Sequence, residues 1–473
     1  MSDSPLLDAW FHARSLARRP LQIPGHKNRY VSADSTAPGA EVIAQLIRDD
    51  LPLQGGADDN AFSEKLLVRA EKLWSTAVGA QHARFLVGGS SQGNISAVTT
   101  VANPGERVLV DRTSHRSLHA ALVVSGASPV WVLPEIHPEF GIPVGVPASR
   151  IEQGGADQVA VFITSPSYVG TLSDVAALAK ATHDQDSVLV IDQAWGAHLD
   201  FLPGGGAIAQ GADIATTSVH KTLLGYSQTA VTTLGGHRIH AARLDRAVDL
   251  TATTSPSATL LASIEATRVV MAGDGGPALD RAVELTASMR ATLARITGLV
   301  VLTEANSGCQ LDPLKVTLWL PRAGIDGVAL GAALWESGHG VEAADADTLV
   351  ITMSLVDEEA FATEITETIT SAISALRGPS RAPTPAAMWR VSPIVAMSPR
   401  DAFFAPRRRV PLDQAAGLIS AEQFTPYPPG VPLIAPGEQI TQEIIEAIAI
   451  AGRSTRVAYA SDPELRTVEV VAS

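Results

Sequence analysis

Over residues 84–234 the chain alternates short apolar runs with helix-length segments, and this alternation limits its fold more than any other feature. The runs fall at 107–110, 130–133, 159–163, 188–191 and 230–234. Each is too short for a stable helix and apolar enough to be buried on both faces, as the strands of a parallel sheet are. Helices between such strands define βαβ units, so the stretch reads as the large domain of an α/β protein. A second mixture follows, with strands expected near 299–302, 314–319 and 349–353 and a helix near 328–337. Helical spacing of Leu66, Leu67, Ala70 and Leu73 predicts a further helix over 61–78.

The divisions expected are an N-terminal segment 1–60, a large domain 61–296, a smaller α+β domain 297–378 and a C-terminal domain 388–473. The Pro-, Ser- and Ala-rich stretch 378–387 reads as a linker. Arg407-Arg408-Arg409 lies between Pro406 and Pro411 and reads as a solvated loop.

Composition narrows the function. The formal charge is −14 and the pI is near 5.3, which disfavours non-specific nucleic-acid binding. Cys309 is the one cysteine, so neither an internal disulfide nor a cysteine-rich metal site is available. No signal-peptide segment and no membrane-spanning apolar run is found. A cytoplasmic protein is expected, with neither a metal nor a membrane partner.

Ligands of open α/β sheets bind at the carboxyl ends of the strands, and four such places here carry suitable chemistry. Val87-Gly88-Gly89-Ser90-Ser91-Gln92-Gly93-Asn94 ends an apolar run and opens a helix, where small residues, hydroxyls and the helix dipole suit a phosphate. His115 follows the run ending at Val110 and could lay a flat ring over a flat ligand. Asp192 ends the run Val188-Leu189-Val190-Ile191, where a buried carboxylate could keep a ring nitrogen protonated. Lys221, in Ser218-Val219-His220-Lys221-Thr222, is a candidate Schiff-base lysine. Each taken alone has a plain structural alternative: a turn, a core histidine, a capping aspartate, a surface lysine.

Taken in order, these segments resemble the fold type I pyridoxal-phosphate (PLP) enzymes, the aspartate aminotransferase superfamily. Within it the chain is similar to the Orn/Lys/Arg decarboxylase family. Further segments carry that resemblance: Pro24-Gly25-His26-Lys27, Asp111-Arg112, Ser165-Pro166-Ser167-Tyr168 with Gly170, Asp192-Gln193-Ala194-Trp195, Thr254-Ser255-Pro256, and Pro426-Tyr427-Pro428-Pro429-Gly430. The last is absent from general aminotransferases.

The resemblance implies a seven-stranded, mostly parallel sheet and a shared active site in a homodimer or larger homo-oligomer. It implies PLP on Lys221, with His220 beside it, Asp192 at the pyridine nitrogen and His115 on the ring. Ser90, Ser91, Gln92 and Ser218 would hold the phosphate, and Ala194 and Trp195 would border the other face. Thr254 would reach the phosphate of the neighbouring subunit. The implied reaction is decarboxylation of arginine, lysine or ornithine in polyamine biosynthesis. Another PLP reaction, such as transamination or an oxidative or eliminating one, is the first alternative, and a non-catalytic scaffold the second.

Gln193, Val169, Arg116 and Gly88 depart from commoner family residues, which bears on the substrate but removes no cofactor anchor. The regulator-like N-terminal domain of larger members is not expected. For the distal charge of the substrate, Asp58, Asp59 and Glu342 are candidates against a reading as solvated surface charges.

Overall fold

The computed structural model describes residues 3–16, 23–27, 39–58, 65–155, 157–384, 391–427, 430–454 and 457–472. At its centre is a seven-stranded sheet. Its strands in chain order are β1 (His82–Leu86), β2 (Arg107–Asp111), β3 (Ser128–Val132), β4 (Ala160–Thr164), β5 (Val188–Asp192), β6 (Ile214–Ser218) and β7 (Ala230–Leu234). In space they run β1-β7-β6-β5-β4-β2-β3. Only β7 is antiparallel to its neighbours; the pairs from β6 across to β3 are parallel.

All five apolar runs are strands, to within two residues at each end. Their side chains feed two cores. Val108, Val110, Phe162 and Val190 pack on one face, and Leu109, Val161, Ile163, Leu189 and Ile191 on the other. Burial on both faces explains why these strands read as continuous apolar runs.

Strand β6 has no such signature, because Thr216, Thr217 and Ser218 interrupt it. All three are buried. Thr216 shares a 3.0 Å hydrogen bond with Thr232, and Thr217 donates to the Val231 carbonyl at 3.3 Å. Helix Gly89–Val101 lies hard against this strand. A Cβ at Gly93 would come within 2.4 Å of Thr216 Cγ2, so glycine is what permits the approach.

Strands Val300–Val301, Lys315–Trp319, Thr348–Thr352 and Ala343–Ala344 form, in that order, an antiparallel sheet. It has an apolar core of its own around Leu318, Leu330, Leu349 and Ile369. A further core gathers Val410, Phe424, Ile434, Ile444, Ile448 and Val470 from the C-terminal region. The expected helix over 61–78 is Leu66–Ala77; residues 61–64 lie outside the described part.

Two expectations are corrected. Residues 407–409 are not a loop: Arg407–Pro411 is a strand paired antiparallel with Thr467–Val471. Its arginines are exposed, and Arg407 and Arg409 both meet Glu469. Three consecutive exposed arginines, with Val410 alone buried, conceal the strand from an apolar count. The stretch 378–387 is not a free linker over its described part. Gly378 N–H donates to the Ala323 carbonyl at 3.2 Å, and Arg381 reaches the Ile325 carbonyl at 2.9 Å and the Asp347 carboxylate at 2.5 Å.

Candidate active site

The carboxyl ends of β2, β4, β5 and β6 meet on one side of the sheet. A pocket there is lined by Ser90, Thr113, His115, Tyr168, Asp192, Ala194, Trp195, Lys221 and Val431, among others. Pairing sets the spacing: Asp192 sits opposite Thr164 of β4 and Thr216 of β6.

Asp192 is buried. Its Oδ2 accepts from Asn94 Nδ2 at 2.8 Å and its Oδ1 from the Ala194 N–H at 3.1 Å. Asn94 also donates to Ser117 Oγ at 2.9 Å, and that hydroxyl is 2.9 Å from His115 Nδ1. One chain of hydrogen bonds therefore joins the carboxylate to the imidazole across two helices. His115 caps the second of these, Arg116–Ser125, accepting from the Ser117 N–H. Nδ1 is thus an acceptor, and the ring is neutral. Burial holds its pKa down at about 4; Lys221 and Arg116 add to the shift and Asp192 opposes it.

Lys221 follows β6 directly. Its Nζ lies 4.1 Å from the centre of the Trp195 ring, a cation–π contact. Burial pushes its pKa below the ordinary lysine value, while Asp192 and Glu342 pull it back up. That is the environment of an amine used as a nucleophile.

The phosphate-type features lie beside it. Helix Gly89–Val101 has no side-chain cap at its N-terminus; its Gly89 N–H donates to the Gln228 carbonyl at 2.8 Å, and Ser90, the next residue, faces the pocket. Ser218 Oγ and Thr222 Oγ1 are buried without hydrogen-bond partners. Buried hydroxyls are seldom left so, and these two suit a ligand that accepts from them.

Other expected residues stand further off. Gln92 turns its carbonyl to the Gly88 N–H at 3.0 Å, which shapes the turn. Ser91 is exposed and outside the pocket lining. His220 is half-buried, with Nδ1 donating to the Thr229 carbonyl at 2.8 Å. Thr254 is exposed. Asp58 is no surface charge: it is buried and accepts from the Leu67 N–H at 2.9 Å. Asp59 lies outside the described residues. Glu342 is exposed and interacts electrostatically with Lys221.

The C-terminal region supplies a wall. Val431 lines the pocket, and the Gly430 carbonyl accepts from the Arg116 N–H at 2.9 Å. Gly430 has φ +82°, and a Cβ there would fall 3.0 Å from His115 Cδ2. Pro428 and Pro429 lie outside the described residues. Sequence reasoning passed over Asn94, Ser117 and Lys315. Asn94 belonged to the glycine–serine segment, but nothing local marks its partner as Asp192, ninety-eight positions away.

The architecture is shared with solved decarboxylases. The chain superposes on the lysine decarboxylase LdcF of Francisella novicida with a TM-score of 0.81, covering 99% of this chain and 81% of that one at 20% identity. This is the fold of the type I PLP enzymes. Residues 4–317 match the Orn/Lys/Arg decarboxylase major domain and residues 383–455 its C-terminal domain. An arginine decarboxylase of Halalkalibacterium halodurans is 29% identical over 96% of this chain and 94% of its own length. One of Bacillus subtilis is 30% identical over 91% and 90%. The chain belongs to the Orn/Lys/Arg decarboxylase family and is an amino-acid decarboxylase.

Proposed function

We propose that this protein decarboxylates a basic amino acid, arginine before lysine or ornithine, with PLP attached to Lys221. The observation that carries the reading is the convergence of Lys221, Asp192 and His115 on one pocket. Arginine is favoured because the two relatives described above, which match nearly the full length of this chain, are named arginine decarboxylases.

The donor set fits the cofactor. The uncapped helix Gly89–Val101, Ser90 and the unpartnered Ser218 hydroxyl would hold the phosphate. Asp192 would keep a proton on the pyridine nitrogen, and the neutral His115 ring would cover one face. When bound, PLP supplies the electron sink for the pair released as the bond between Cα and the carboxylate breaks.

The chain's own groups do the rest. Trp195, Tyr168 and Val431 narrow the pocket and exclude water. A depressed Lys221 pKa leaves more of its amine free to accept and return a proton. Glu342, whose charge is felt at Lys221, would receive the distal cation of the substrate. A homodimer, with Thr254 serving the neighbouring subunit, and a role in polyamine formation complete the proposal.

The test is a product assay with PLP and arginine, lysine or ornithine supplied separately. CO₂ and the matching amine in equal amounts, fastest from arginine, support the reading. A keto acid in place of CO₂ would transfer it to the transaminase alternative.

A further inference from the structure

Lys315 begins the strand Lys315–Trp319 of the smaller sheet and is buried, only 2% exposed. A lysine so placed needs a reason, because desolvating an ammonium is costly. Its Nζ donates to the Tyr168 carbonyl at 2.8 Å and lies 3.9 Å from the centre of the Trp195 ring. Lys221 Nζ lies 4.1 Å from the same centre. The two nitrogens are therefore at most about 8 Å apart, within the reach of an unscreened charge.

Lys315 is not part of the pocket lining. Its Nζ lies against the Trp195 ring, which does line the pocket, so it can act through that ring and through its charge. The charged and titratable groups around the pair are few. Asp312 and Glu342 attract Lys315, and Lys221 repels it. Asp312 is held by His198 at 3.0 Å. Asp192 and Glu342 attract Lys221, and His115 lies close enough to be influenced by it. Burial, aided by Lys221 and opposed by Asp312 and Glu342, brings Lys315 down to about 8.

We propose that Lys315 is a positioning residue, delivered by the smaller sheet, that braces Trp195 against the pocket and by its positive charge favours the free-amine form of Lys221. Repulsion between two ammonium groups is reciprocal. Removing the charge at 315 thus makes Lys221 hold its proton more tightly.

The inference rests on Lys221 as the cofactor lysine, so the experiment reads Lys221 directly as well as cofactor uptake. Competitive acetylation of the full-length, PLP-free protein at about pH 7, where Lys315 still carries its charge, followed by peptide mass spectrometry, gives the free-amine fraction of Lys221. The rate of PLP capture is followed in parallel by absorbance. In Lys315→Met that fraction falls by roughly threefold, and capture slows to match. Lys315→Arg, which keeps the charge, retains the wild-type fraction.

If Lys315→Met does not fold, Lys315→Gln, which still offers a donor to the Tyr168 carbonyl, carries the same expectation. An unchanged free-amine fraction in the neutral variants, or an equal fall in Lys315→Arg, overturns the inference. If the fraction falls as expected but Lys221→Ala captures PLP as well as wild type does, the charge coupling stands. It is then the cofactor-lysine reading that fails.

Discussion

Arg112 and Glu438, 326 positions apart in sequence, form a two-bond ion pair at 3.0 and 3.1 Å that is almost completely shielded from solvent. Arg112 also donates to the Leu433 carbonyl at 2.9 Å and lies over the Trp131 ring. Glu438 accepts from the Ala435 N–H at 2.9 Å. The pair joins the end of β2, three residues before His115, to the segment that contributes Val431 to the pocket.

Breaking this pair from one side leaves a buried charge without its partner. Glu438→Ala is expected to cost roughly 3–5 kcal/mol of stability, and the double change Arg112→Met, Glu438→Leu considerably less. Urea unfolding of the three proteins measures it. Equal losses in the single and double variants would show that the charge is not what matters.

Asp192 and Asn94 are expected to act as one unit. Asp192→Asn removes the carboxylate proposed to face the ring nitrogen, an effect of about 3–5 kcal/mol on the barrier, or on the order of a hundred- to a few-thousand-fold in kcat. Asn94→Ala removes one hydrogen bond to that carboxylate and costs about tenfold. In the double variant the Asn94 change adds little, because the group it orients has gone. Steady-state kinetics of the four proteins form the cycle.

The His115 ring titrates at about 4 in the fold, below the ordinary histidine value near 6.5. It is neutral across the working range, so no break in kcat/KM between about pH 5.5 and 8 belongs to it. The unfolded chain takes up a proton there that the native state refuses. Stability linked to His115 is therefore present above about pH 6.5 and declines as pH falls towards 4. His115→Phe removes this decline while keeping a flat ring, which stability measured against pH for both proteins will show. An unchanged slope would mean that His115 titrates normally.

Ser218 offers a test of the proposed phosphate cradle. Its hydroxyl is buried with no partner in the protein, so Ser218→Ala is expected to leave the PLP-free protein as stable as before, or slightly more so. PLP affinity is expected to fall by about tenfold, the worth of one hydrogen bond to a charged acceptor. Thermal melting without cofactor and equilibrium binding with it separate the two effects.

How much of this was legible follows from where each signal resides. Strands β2, β4, β5 and β7 are buried on both faces, so their composition alone reveals them; β3, at the sheet edge, is partly buried and still apolar enough to show. Strand β6 satisfies its threonines through neighbours that local sequence does not name. Asp192, His115 and Lys221 were legible because strand-end positions in such a sheet are few. Lys315 was not: its chemistry depends on a ring 120 positions earlier, and only the packing of the smaller sheet against Trp195 brings them together. The strand at Arg407–Pro411 was hidden because its exposed arginines dominate its composition.

The central claim, that Lys221 carries the cofactor, is tested most directly by reducing the PLP-loaded protein with borohydride and mapping its peptides by mass spectrometry. The account predicts a pyridoxyl group on the peptide containing Lys221 and none on that peptide in Lys221→Ala. A pyridoxyl group found instead on Lys315, or on any other lysine of the wild-type protein, would contradict it.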